Sequence, residues 1–266
     1  MPTMAVQHVR RMRGGAQSHL MRAADGNLYV VKFKNNPQHL RVLANEMLAT
    51  RLAERVGLPV PATDVVEVSP WLVEHSPELN IQLAGRTLTC EPGLQFGAKY
   101  VISPLEGRIF DMLPETLIGQ VRNIGAFAGM LALDKWTCNS NGRQATFWKK
   151  LRERKYNVTF IDQGYCFNAG EWSFPDSPLR GVYARNWVYT SVTGWESFEP
   201  WLTNIEEISM STISECAEVI PPEWYGDWED MSRLVESLFQ RRARVRELIL
   251  DFRDSSRNPF PNWTEN

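Results

Sequence analysis

Leu28-Tyr29-Val30-Val31-Lys32-Phe33, then Lys34-Asn35-Asn36-Pro37, then Gln38-His39-Leu40-Arg41-Val42-Leu43-Ala44-Asn45-Glu46: this stretch passes from a strand to a helix and sets Lys32 and Glu46 fourteen positions apart. The first six residues are β-formers with Lys32 near their end. Asn36-Pro37 opens a helix expected over 38–55, with Leu40, Leu43, Met47, Leu48 and Leu52 on its apolar side. Gly57 stops it, and Pro59 and Pro61 prevent continuation. Upstream, Asp25-Gly26 and Gly14-Gly15 are turn signals, and 19–22 between them is a short strand, so a hairpin precedes Lys32.

Downstream, 63–68 and 71–73 read as further strands. The Gly/Pro-rich passage Glu91-Pro92-Gly93 through Phe96-Gly97 marks a lobe boundary. From Pro114 the period becomes helical through Leu117, Val121, Ile124, Phe127, Ala128 and Leu131. That helix runs into Asp134-Lys135-Trp136-Thr137-Cys138-Asn139. After the turn Ser140-Asn141-Gly142, the basic run 148–155 reads as a solvated amphipathic helix, and the strand 157–161 delivers Asp162. The last third is helix-prone, with 230–252 as its clearest element. The expected fold class is α+β and bilobal, with a small β-rich lobe with one helix (1–97), a mainly helical lobe (98–256) and a disordered tail (257–266).

Phosphoryl transfer needs positioned positive charge on the phosphates, metal ions and a group that orients the acceptor hydroxyl. Lys32 suits the first role, with Glu46 holding its ammonium. Asp134 and Asn139 have the D-x-x-x-x-N spacing of a kinase catalytic loop: Asp134 is the candidate catalytic residue and Asn139 a candidate Mg2+ ligand. Asp162, in Ile161-Asp162-Gln163-Gly164, is the second metal ligand, its carboxylate matching the preference of a hard cation for oxygen. The loop with Gly14, Gly15, Gln17 and Ser18 is the candidate phosphate cradle. Each element alone is common on ordinary surfaces; their order along the chain is what points to ATP and Mg2+ as cofactors. Arg143 has two readings, phosphate contact or a salt bridge to a neighbouring carboxylate.

The runs Tyr29-Val30-Val31-Lys32-Phe33, Asn45-Glu46, Gly57-Leu58-Pro59-Val60-Pro61, Asp134 to Asn139, Arg143-Gln144 and Phe160 to Phe167 together resemble the HipA-like kinase family of bacteria, over roughly residues 14–252. The resemblance implies that this bilobal α+β chain has a protein-kinase-like fold that phosphorylates Ser/Thr hydroxyls with ATP and Mg2+, and a relation to toxin kinases. The sequence departs from many kinases in having Leu131-Ala132-Leu133, with no histidine, ahead of Asp134. The expected function is therefore an ATP-dependent phosphotransferase acting on a hydroxyl-bearing acceptor, a protein in the first instance. Two alternatives stand beside it: a small-molecule phosphotransferase of the aminoglycoside-kinase type, favoured by an acidic cleft, and an inactive nucleotide-binding or partner-binding module.

Composition sets outer limits. A chain of 266 residues with 43% hydrophobic content builds one bilobal core. A net charge of -2 argues against a broadly basic nucleic-acid surface. No run approaches the ~20 apolar residues of a membrane helix, and a cytoplasmic location is expected. The four cysteines contain no C-x-x-C pair and the four histidines no ligand spacing, so zinc is not expected.

Overall fold

The computed structural model describes residues 1–264. Its first part is a closed five-stranded barrel built from β1 (Thr3–Arg11), β2 (His19–Ala23), β3 (Leu28–Lys32), β7 (Gly93–Lys99) and β4 (Thr63–Val68), in that spatial order. β1 closes the barrel by pairing in parallel with β4 at Thr3↔Val66 and Met4↔Glu67. Sequence reading passes over β1 because Ala5 is its single buried residue and its pairing with β2 is interrupted by register shifts. The passage expected to divide the lobes instead becomes β7, a strand bonded on both sides to β3 and β4. Gly97 serves close packing there: a Cβ would lie 2.3 Å from the Val66 Cγ2 atom. The chain leaves the barrel only after Lys99.

α1 (Val42–Arg55) is shorter than expected. Residues before it stay irregular, with the Gln38 N–H bonded to the Asn36 side chain at 2.9 Å, and Leu40 is 91% exposed rather than buried. The segment 71–73 is not a strand but part of α2 (Pro70–Glu74), because Ser69 caps it through the Leu72 N–H and Pro70 occupies the first turn. β5 (Asn80–Leu83) and β6 (Arg86–Thr89) form a separate hairpin.

Beyond the barrel, β8 (Gly107–Phe110), β9 (Gln144–Lys150) and β10 (Asn157–Ile161) make a three-stranded antiparallel sheet. The basic run 148–155 is thus the end of β9 and its turn, not a helix: Phe147 and Trp148 pair across to Val158 and Asn157. The helical period from Pro114 is interrupted, giving a 3-10 turn at Glu115–Gln120 and then α3 (Ala126–Trp136). Helices α4 (Trp201–Glu207), α5 (Met210–Glu218), α6 (Trp228–Arg241) and α7 (Val245–Arg253) complete the lobe, a 3-10 turn at Arg242–Arg244 dividing the element expected over 230–252.

Trp136 at the end of α3 is fully buried, its indole N–H donating to Leu238 O at 2.8 Å. The expected disordered tail is ordered up to 264: Phe260 is buried and its ring meets Tyr189, Phe198, Phe252 and Trp263. Residues 265 and 266 of that tail lie outside the described residues. Two hydrophobic clusters result. One lies inside the barrel around Val31, Phe33 and Val66; the other joins α1 to the helical lobe through Met47, Leu52, Phe127 and Trp136. Among the described residues no helix is long and apolar enough to cross a membrane.

Candidate active site

A cavity of about 780 Å³ opens between the barrel and the β8–β10 sheet, a size suited to a nucleotide-sized ligand. Val30, Phe96, Ala98, Ile109 and Ile161 line its apolar part, and Gly14, Gly15, Ser18, Lys32 and Asp162 its polar part. The loop before β2 is tight: Met12 N–H donates to Ser18 O at 2.8 Å, and Gly14 takes a φ of 118° open chiefly to glycine. Gln17 belongs to this loop but turns away from the cavity. Its amide bonds the backbone of Gln82 in both directions, at 2.7 and 2.8 Å, tying the loop to β5.

Lys32 meets its expected partner Glu46 and, beyond that expectation, Asp162. Its ammonium bonds Glu46 Oε1 and, at 2.6 Å, Asp162 Oδ1. Burial by itself lowers the Lys32 pKa, but the Glu46 and Asp162 charges outweigh it and hold the lysine above its ordinary value. Burial pushes the Glu46 carboxyl up, opposed by Lys32 and by hydrogen bonding. Its oxygens also accept the N–H groups of Gln163 (3.0 Å) and Gly164 (2.9 Å), so the glutamate ties the strand lysine to the loop after Asp162. Asp162 is held below the usual carboxylate range: burial raises it, and the Lys32 ammonium more than offsets that. Its φ of 63° is the left-handed region that costs a residue with a Cβ roughly 1 kcal/mol.

The neighbouring Asn45, part of a family-like run but given no role by it, fastens the same loop. Its side-chain NH2 donates to the carbonyls of Gly164, Cys166 and Ala169 at 2.7–2.9 Å, while its oxygen accepts the Trp172 indole N–H at 2.7 Å. His39 adds a contact to Gly164 O at 2.8 Å. The start of α1 is thereby bound to the helical lobe.

Asp134 and Asn139 are brought together, but not into the cavity. Asp134 is 1% exposed. Its carboxylate accepts Arg143 Nε at 2.9 Å, a second guanidinium N–H, and Asn139 Nδ2 at 2.9 Å. Gly181 covers it so closely that a Cβ there would stand 2.6 Å from Asp134 Cβ. Asn139 is equally buried, and its Oδ1 accepts the Asn141 N–H at 3.1 Å. The structure thus does not bring Asp134, expected to face the acceptor, or Asn139, expected as a metal ligand, to the cavity: the D-x-x-x-x-N spacing here builds a buried capping network at the end of α3. Arg143 is its organiser. Burial would lower this guanidinium's pKa, and Asp134 more than compensates. A further N–H reaches Ile161 O at 3.0 Å and the Gln163 side chain, linking the Asp134 network to the Asp162 loop. Of the two readings of Arg143, the structure places the salt bridge to Asp134, and the residue also lines the cavity.

Gln144, next to Arg143, does face the cavity and donates its Nε2 to Asp162 Oδ2. Among the described residues no group of three or more His, Cys, Asp or Glu side chains could hold a metal alone. A hard divalent cation nonetheless fits at Asp162. That carboxylate already attracts the Lys32 ammonium, and Mg2+ characteristically takes one or two protein carboxylates and fills its shell from phosphate and water. The thiols are outside this chemistry: all four cysteines are free and buried, and burial pushes Cys166 up to about 12.

The family model for HipA-like kinases matches residues 6–248. No curated protein sequence matches the chain. Among solved structures, the Helicobacter pylori proinflammatory kinase CtkA is similar with a TM-score of 0.59 at 12% identity, over 96% of this chain and 100% of that one. A Golgi casein kinase aligns with a TM-score of 0.56 at 11% identity, over 94% of this chain and 74% of that one. The same kinase with Mn/ADP bound gives 0.55 at 10% identity, over 95% and 74%. At such identities the likeness establishes the fold, which is α+β and protein-kinase-like.

Proposed function

This chain belongs to the HipA-like kinase family, and from that membership we propose that it is a kinase that binds ATP in the interlobe cavity and moves the γ-phosphate to a hydroxyl, in the first instance a Ser or Thr of a protein. The observation that carries the reading is the buried Lys32–Glu46–Asp162 ion-pair network beside the Gly14-Gly15 loop. Lys32 supplies the fixed positive charge for phosphate oxygens, Glu46 keeps that charge aimed, and Asp162 would hold Mg2+, which supplies charge neutralisation on the phosphates. Val30, Ala98 and Ile161 provide an apolar slot suited to a base. The kinase with Mn/ADP bound is a precedent for a nucleotide and a divalent metal in this fold.

The small cationic antibiotic alternative calls for an acidic cleft. Arg10, Arg13 and Lys99 line this one along with Asp111, which disfavours it. The inactive-module alternative keeps one observation in its favour, the burial of Asp134 and saturation of its carboxylate. Nucleotide binding and ADP production separate the readings. Wild type is expected to bind a fluorescent ATP analogue with Mg2+ and to release ADP with a suitable acceptor. Lys32→Met and Asp162→Asn should each lower turnover at least a hundredfold, roughly 2.7 kcal/mol of transition-state stabilisation. Binding without any phosphoryl transfer across a broad set of protein acceptors would favour the inactive module, and no binding would overturn the kinase reading.

A further inference from the structure

A divalent cation at Asp162 has room for a second protein oxygen, and the residue that spacing nominates does not reach the cavity. Asn139 donates to Asp134, accepts from Asn141, and does not line the cavity. Gln144 meets every condition that Asn139 fails. It is the first residue of β9 and the cross-strand partner of Ile161, so the sheet register sets it next to Asp162. Its backbone neighbour Arg143 is immobilised by the buried bonds to Asp134 and the Ile161 carbonyl. The Gln144 side chain is exposed to the cavity and already touches Asp162 Oδ2.

The present hydrogen bond has the amide nitrogen toward the carboxylate, as a metal-free carboxylate demands. An amide carries its oxygen on the same carbon, and a rotation about the last side-chain bond exchanges the two. Once a cation takes the carboxylate, the donor is no longer wanted there and the oxygen is. Arg143 and Lys32, which donate to Asp162, are cationic and cannot ligate a metal, and the nearby Glu46 carboxylate is taken up by Lys32 and the N–H groups of Gln163 and Gly164.

We propose that Gln144 is the amide-oxygen donor that shares a hard divalent cation with Asp162, in the position spacing had assigned to Asn139. This rests on the nucleotide-binding reading above. It also assigns the cation class: an all-oxygen set favours Mg2+ or Mn2+ over softer metals.

Mn2+ serves as the probe. Its binding to the intact chain with a non-hydrolysable ATP analogue is read by electron paramagnetic resonance, and binding of the analogue in EDTA is measured separately. Gln144→Ala is expected to weaken Mn2+ binding roughly tenfold while leaving metal-free nucleotide binding within about twofold. Gln144→Glu should restore or tighten Mn2+ binding, an outcome a merely structural glutamine would not produce. Asn139→Ser, compared in its folded fraction, should leave Mn2+ affinity unchanged. Nucleotide binding with unaltered Mn2+ affinity in Gln144→Ala overturns this assignment alone. Failure of the wild type to bind the nucleotide under any metal overturns the nucleotide reading and this inference with it.

Discussion

Arg143 and Asp134 show how a motif residue changes meaning with burial. Both side chains are almost wholly buried, and the guanidinium touches the carboxylate through two N–H groups. Breaking such a pair leaves one charge without a partner in a low-dielectric site, at a cost of about 3–5 kcal/mol. Asp134→Ala should therefore act first on stability. Thermal denaturation is expected to show a fall of several degrees, while the kcat of the surviving folded fraction stays within about tenfold of wild type. A double variant, Asp134→Leu with Arg143→Met, removes both charges and should recover much of the lost stability. If Asp134→Ala keeps the wild-type melting temperature and abolishes turnover, the residue is catalytic after all and the buried network is not its role. Lys135, its neighbour, follows the same logic: its ammonium donates to Pro178 O and Arg180 O at 2.7 and 2.8 Å, and burial lowers its pKa to about 8. These bonds hold the segment that covers Asp134.

At the level of elements, α3 carries the test. Gly129 lies in its first half, where helix propensity alone predicts that Ala would stabilise by about 1 kcal/mol. The packing reverses the sign. A Cβ at Gly129 would stand 2.3 Å from the Trp201 ring of α4, and that ring is itself tied by its indole N–H to Gly57 O at 3.1 Å. Gly129→Ala should consequently destabilise by about 1–3 kcal/mol, read as a lower urea midpoint at unchanged slope. A higher midpoint would mean that Trp201 swings away freely. α1 makes a related point about positional control. Its Asn45 and Glu46 hold the loop after Asp162 by five hydrogen bonds, three from Asn45 and two to Glu46. The ion pair at Lys32 is thus set by an element bonded to both lobes.

For the whole molecule, the hydrophobic cores do not follow the division read from the sequence. α1 lies in the first lobe by chain position, yet Val42, Met47, Leu48 and Leu52 belong to the same cluster as Phe127, Trp136 and Phe198. A fragment ending at Lys99 would expose that face of α1. It should lack a cooperative melt by circular dichroism, whereas the full chain should unfold with a single main transition. Independent cooperative folding of the fragment would show that the barrel core around Val31 and Val66 suffices.

What the sequence determined by itself was the chemistry carried by local order: the strand bearing Lys32, the helix bearing Glu46, the strand end bearing Asp162, and hence the bilobal α+β kinase-like class. Those signals are local because β-propensity, helical period and Gly/Pro stops act over a few residues. The tertiary structure decided which polar residues face the cavity. Asp134 and Asn139 have the right spacing, but spacing does not record that Arg143 and Gly181 enclose them. Gln144 has no motif, and only the pairing of β9 with β10 sets it against Asp162. β1 was hidden for the same reason: its residues bury little, and it exists as a strand because β2 and β4 supply its hydrogen bonds. Burial and cross-strand register are properties of contacts between distant segments, so they emerge only when the chain has closed on itself.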